Sequence, residues 1–199
     1  WLWQICKIDD ILANSGLILI FFMTVYQTEG IVLNKEDAGE ADRRFLIFTE
    51  NYGKIEVLAK GARKIKAKLA GHLENFNHSH LMLSISGNLR CNLISALTID
   101  NFPELKKNED KLKIAARLGE LYNQFLPFHH KEPDFWRLLL AGLSHLNRAE
   151  NSETGLVDFS FKVEFLKLLG YFPPPNFTVI KVSERDQFLD RYLKELAQV

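Results

Sequence analysis

Cysteine is almost absent from this 199-residue sequence, with Cys6 and Cys91 as the only two. They cannot build a disulfide framework, and no Cys-x-x-Cys spacing offers zinc a half-site. A reducing, cytoplasmic setting is the resulting expectation. Long apolar runs are missing too: the longest uncharged one, Leu17–Val25, is about half of the roughly 20 residues a membrane-spanning helix needs, so no membrane partner is expected. Neither charge sign is in excess, because 25 basic side chains meet 25 acidic ones. A uniformly basic coat is excluded, and any affinity for nucleic acid must come from local clustering. There is no phosphate-cradling Gly-x-x-x-x-Gly-Lys loop, dinucleotide glycine fingerprint, Gly-x-Ser-x-Gly or His-Glu-x-x-His. No enzyme and no cofactor are therefore expected.

What is present is 47% hydrophobic residues, enough for one sizeable core or two small ones. The first residues lack the basic start and small-residue cleavage site of a secretory signal. The sequence begins at Trp1, and Met23 stands just before the first well-patterned segment. The expected organisation is an extraneous leader over 1–22, a β domain over 23–101 and a helical domain over 102–199.

From Val25 to about Ile99, β-branched and aromatic residues are punctuated by glycine-containing turns. Five strands are predicted near 25–34, 43–49, 54–60, 73–86 and 89–98, with Asn51-Tyr52-Gly53 joining the second and third and Gly87-Asn88 the last two. Short strands at this density predict a small five-stranded barrel of the OB type, with Gly61–Gly71 as the connection that commonly holds a helix or loop. After Phe102-Pro103 the period changes to that of helices. One is predicted from Asp110 to Leu126, stopped by Pro127, and a second from Pro133, apolar nearly all round and hence central. The third, near 157–169, alternates like a strand, yet Phe159, Val163, Leu166 and Leu169 also fit one helical face; its setting among helices decides for a helix. A last helix is predicted from Ser183, with Asp186 three residues on. The fold class is thus α+β: a barrel, then an all-α domain.

The strongest chemical signal is electrostatic. Between Arg43 and Lys68 stand eight basic residues (Arg43, Arg44, Lys54, Lys60, Arg63, Lys64, Lys66 and Lys68) against Glu50 and Glu56, a net charge of +6. Side chains this dense on an exposed loop would neutralise phosphates and release counterions; a solvated loop is the plain alternative. Phe45, Phe48, Tyr52 and Phe76 are aromatics able to stack bases, but so small a barrel needs most of them as core, leaving Tyr52, in a turn, as the candidate. His72, His78 and His80 raise the idea of a metal site, with Glu74 the one carboxylate in their segment. An outward-facing strand explains them more simply, and no metal is expected. Asp37, Glu40 and Asp42 form a polar turn in which Glu40 and Asp42 are expected to pair with Arg43 or Arg44.

Several segments, in order, resemble one family. Gly30-Ile31-Val32-Leu33, Gly39-Glu40-Ala41-Asp42-Arg43, Phe48-Thr49-Glu50, Gly53-Lys54, Ala59-Lys60-Gly61-Ala62-Arg63-Lys64 and Leu73-Glu74-Asn75-Phe76 look like the N-terminal barrel of the recombination protein O (RecO) family. The stretch from Phe161 to Gly170-Tyr171-Phe172-Pro173 is similar to that family's helical half, so the resemblance runs from about Val25 to Pro173. It implies an OB-fold joined to a helical domain, acting as a non-enzymatic mediator of DNA repair and recombination in the bacterial cytoplasm, at the nucleoid. Such proteins bind single- and double-stranded DNA, anneal strands, engage the tail of single-strand-binding protein and work with RecR to load RecA. Carried over by position, Arg43 and Lys60–Lys64 fall on the family's basic motif. Two departures stand out: Thr178 and Lys181 lie about where zinc-binding members carry their first two cysteines, and Ala67 replaces a serine of the basic loop. The stretch from Pro175 to Val199 implies an abbreviated helical domain without a zinc finger. The alternatives are an adaptor that binds only proteins and, more distantly, a metal-dependent hydrolase built on the histidines.

Overall fold

The computed structural model describes residues 25–40, 42–60, 70–86 and 90–198. The expected leader and start at Met23, the Gly87-Asn88 turn, and Arg63, Lys64, Lys66 and Lys68 lie outside the described residues. Five strands, β1 (Val25–Ala38), β2 (Asp42–Thr49), β3 (Gly53–Ala59), β4 (His78–Ser86) and β5 (Arg90–Asp100), close a barrel in the order β1-β2-β3-β5-β4. All neighbouring pairs are antiparallel except β3 and β5, which meet in parallel over Val57–Leu58 and Cys91–Asn92. Five helices follow: α1 (Pro103–Lys106), α2 (Glu109–Phe125), α3 (Pro133–Arg148), α4 (Thr154–Leu168) and α5 (Arg185–Leu196). The expected α+β fold, an OB-type barrel and then helices, is the observed one. No helix among the described residues is long and apolar enough to cross a membrane.

The strands show why two cores form. In β2, Phe45 and Ile47 point into the barrel, where they pack with Val32, Ile55, Val57, Leu81 and Leu83. The alternate residue Phe48 points the other way and joins Ile31, Leu33 and Phe76 in a second core with the helices. The runs Ile31-Val32-Leu33 and Phe45-Leu46-Ile47-Phe48 are continuous rather than alternating because that wall of the barrel is covered on both faces. Gly30 is required at one tight spot, since a Cβ there would lie 2.6 Å from Leu81 and 2.7 Å from Ile47.

At the centre of the second core sits Tyr122, fully buried, its ring edge-on to Phe48 and Phe135 and its hydroxyl donating to the Phe135 carbonyl at 2.6 Å. Burial pushes that phenol well above its ordinary pKa, so the group stays a donor. Tyr122→Phe removes this buried hydrogen bond and is expected to cost about 1 kcal/mol, read as a lower midpoint in thermal unfolding.

Local chemistry sets the helix ends. The Asn108 side chain accepts from the backbone N–H groups of Asp110 and Lys111 and starts α2, Pro127 follows its end, and Pro133 opens α3. Three expectations need correction, and α1 is an element the sequence reading lacks. The fourth strand begins at His78, not near 73, because Phe76 adopts a left-handed conformation (φ 65°) and turns the chain. The four-residue α1 is too short to show a period. The buried face of α4 is Asp158, Phe161, Lys162, Phe165 and Leu166, shifted from the predicted stripe because two of its members are charged. The last helix begins at Arg185 with no side-chain cap; Ser183 sits in a 3-10 turn before it, and Asp186 instead pairs with Lys162.

Candidate nucleic-acid interface

β3 brings the barrel to its basic end. Arg43 lies across from Ala59, the last residue of β3, and the exposed Lys60 follows directly. The Arg43 Nε is 3.1 Å from an Asp37 oxygen, a partner supplied by the facing residue of β1. The Arg44 Nε is 3.2 Å from Glu56 on β3, with both side chains about half exposed. Asp37 and Glu56 thus hold the two guanidiniums. Surface pairs of this kind contribute little to stability, so a phosphate can displace Asp37 from Arg43 at small cost, whereas Arg44 lies on the outer face between two carboxylates, Glu36 and Glu56, and is not part of the phosphate-facing set. From Lys60 the chain enters the run that contains Arg63, Lys64, Lys66 and Lys68.

Besides Arg44, two expected members leave this face. Lys54 is 3% exposed. Its ammonium donates to the carbonyls of Asn123 at 2.6 Å and Tyr122 at 3.5 Å, and lies 4.5 Å from the Phe128 ring centre. It neutralises the negative end of α2, and burial lowers its pKa; it is a clamp between barrel and helices and has no reach to a phosphate. Tyr52 sits at the opposite end of β3 from Lys60, roughly 25 Å away at about 3.3 Å per residue. It is half-buried, its ring edge-on to Tyr26 at 5.8 Å, in a small apolar recess with Ile55, Leu83, Ile85, Cys91 and His129. Burial, then the neighbouring Tyr26, raises its pKa, and burial pushes the Cys91 thiol up to about 11, so neither the phenol nor the thiol is a ready anion. Phe45, Phe48 and Phe76 are all buried core.

The histidines separate. His72 Nδ1 lies 2.9 Å from the Thr98 hydroxyl. His78, expected on an outward face, is 6% exposed: its Nε2 lies 2.8 Å from Glu29 and its ring is edge-on to Trp136 at 5.7 Å. His80 is exposed and 3.7 Å from the same carboxylate. Among the described residues no group of three or more histidine, cysteine or acidic side chains is arranged to hold a metal ion.

Sequence reasoning missed the segment after α2. Phe128 forms a single parallel bridge with Lys54, and the His129 N–H donates to the Lys54 carbonyl at 2.9 Å. This loop therefore pairs with the first half of β3, while β5 pairs with its second half. A phenylalanine directly after Pro127 and before four polar residues was the available signal.

The family model for the N-terminal part of recombination protein O matches residues 23–102. DNA repair protein RecO of Roseiflexus sp. (strain RS-1) is 34% identical over 149 residues, 75% of this chain and 51% of the relative. The protein of the same name from Dehalococcoides mccartyi (strain ATCC BAA-2266 / KCTC 15142 / 195) is 32% identical over 148 residues, 74% of this chain and 57% of the relative. That from Syntrophus aciditrophicus (strain SB) is 32% identical over 175 residues, 87% of this chain and 66% of the relative. The chain thus spans between about half and two thirds of the length of these relatives. With the barrel matched as a unit and the identity running on through the helices, this chain belongs to the recombination protein O (RecO) family.

Proposed function

We propose that this chain binds single- and double-stranded DNA, anneals complementary strands and, as a non-enzymatic mediator of repair and recombination in the bacterial cytoplasm, helps RecR load RecA on strands covered by single-strand-binding protein. The observation that carries the reading is the joining of Arg43 and Lys60 at the end of β3 with the basic run that starts there. Phosphate contacts of this kind are sequence-independent and work through counterion release. The surface pair of Arg43 with Asp37 keeps the site poised without a buried charge. The helices, whose core is continuous with one wall of the barrel, offer the surface on which partner proteins dock.

The test is a fluorescence-anisotropy titration of a single-stranded oligonucleotide with Lys60, Arg63 and Lys64 changed together to alanine. Losing three phosphate contacts should weaken binding by roughly a hundredfold at about 0.1 M salt and make the log affinity–log salt slope shallower by about two. Unchanged affinity removes the basic run from the site. No binding by the unaltered chain at low salt favours a protein-only adaptor.

A further inference from the structure

We propose that the cleft between the outer faces of β1–β3 and the loop after α2 is a subsite for a single unstacked nucleobase, with Phe128 as its stacking platform. The cleft has a volume of about 180 Å³ and is lined by Asn34, Glu36, Arg44, Leu46, Glu56, Asn123 and Phe128. Phe128 is the only exposed phenylalanine among the described residues, with 47% of its surface open. It is also held in place: its backbone bridges Lys54, the next N–H donates to the Lys54 carbonyl, and the Lys54 ammonium lies 4.5 Å from its ring centre. A platform already fixed by its neighbours loses little conformational freedom when a flat ring stacks on it.

The polar lining selects a base over a phosphate. Arg44 is the one cation of the lining and faces two carboxylates, Glu36 and Glu56, the latter at 3.2 Å, and the ammonium of Lys54 is turned to the carbonyls of Asn123 and Tyr122, so the cleft is net negative and disfavours an anion. The other polar groups are the acceptor-only carboxylates Glu36 and Glu56 and the amides of Asn34 and Asn123, which both donate and accept; Arg44 takes one acceptor position of Glu56 and the Asn34 amide one of Glu36, so each carboxylate keeps others open. Carboxylates accept from the exocyclic amine of cytosine, and asparagine pairs with adenine through its amine and ring nitrogen. Thymine carries no such amine. The subsite therefore takes amine-bearing bases in preference to thymine, while the basic end of the barrel holds the strand's phosphates. This rests on the reading that the chain binds single-stranded DNA.

The experiment compares short oligomers of deoxycytidine, of thymidine and of abasic sugar-phosphate, all of equal length and charge, by anisotropy at one salt concentration. The unaltered chain should bind the cytidine oligomer most tightly. Phe128→Ala should lower its affinity for that oligomer by roughly 5- to 150-fold, the value of one base–aromatic stack, and leave the abasic oligomer unchanged. Phe128→Trp, which keeps a platform, should restore binding, and Glu56→Gln should shrink the cytidine-to-thymidine ratio. Equal weakening of cytidine and abasic binding, or none, overturns the subsite and leaves the phosphate reading standing. Failure of the unaltered chain to bind any of the three overturns both.

Discussion

Gly53→Ala should lower the thermal unfolding midpoint by roughly 10 °C, the consequence of about 3 kcal/mol or more in a domain of this size. Two effects add. Gly53 has φ 64°, a conformation that costs an L-residue about 1–2 kcal/mol. A Cβ at that position would also fall 1.9 Å from the His130 carbonyl oxygen, a backbone atom. The loop after α2 would have to withdraw from β3, breaking the His129–Lys54 hydrogen bond that completes the edge of the strand. A calorimetric scan measures the loss. Gly39→Ala is the control: its φ is also positive, but open space surrounds it, so only the conformational part of the penalty should appear.

Lys162→Met should be of similar size, about 3 kcal/mol, because it leaves buried carboxylate behind. Lys162 is 2% exposed and its ammonium meets Asp158 at 2.8 Å, Asp186 at 2.9 Å and Asp190 at 2.7 Å. Asp158 is itself buried and retains only Arg117, at 2.9 Å, when the lysine is gone. Asp186→Asn touches a half-exposed partner and should cost under about 1 kcal/mol. Burial alone would lower the lysine pKa, but hydrogen bonds to Asp158, Asp190 and Asp186 outweigh it and hold the value above the ordinary 10.5. A lysine raised on folding stabilises fully below the unfolded pKa, about 10.4, and that contribution is lost as pH rises through the higher folded value. Urea midpoints of the unaltered chain should therefore fall above about pH 10.5, and those of Lys162→Met should fall less.

The same lysine shows where the sequence was hard to read. Along α4 the buried positions 158, 161, 162, 165 and 166 keep a helical period, but Asp158 and Lys162 are polar by composition and erase it. Meanwhile Val157, Phe159, Phe161, Val163 and Phe165 imitate a strand. The charges belong to the core only because α5 brings Asp186 and Asp190 to them, a pairing across 24 and 28 residues that no local pattern contains. The barrel was more legible, since turns at Asn51–Gly53 and runs such as Phe45–Phe48 carry their own signals. Leu73 and Phe76 resembled strand residues because both are buried, although the chain is turning there.

At the candidate interface, charge was legible and reach was not. Lys54 reads as one more cation in a basic stretch; its side chain points into the barrel–helix junction because strand alternation places it opposite Ile55, on the face that α2 covers. Tyr52 reads as a free turn aromatic, yet the turn folds it onto Tyr26. The aromatic that does stand exposed, Phe128, lies about 70 residues downstream in sequence and reaches the barrel only through tertiary structure.

The basic set that remains for phosphates is Arg43, Lys60, Arg63, Lys64, Lys66 and Lys68. The most direct test is the affinity of the unaltered chain for a mixed-sequence single-stranded oligonucleotide, measured over a series of salt concentrations. Six phosphate contacts predict a straight line of log affinity against log salt with a slope of about −4. A flat line, or no binding at about 50 mM salt, would contradict the account.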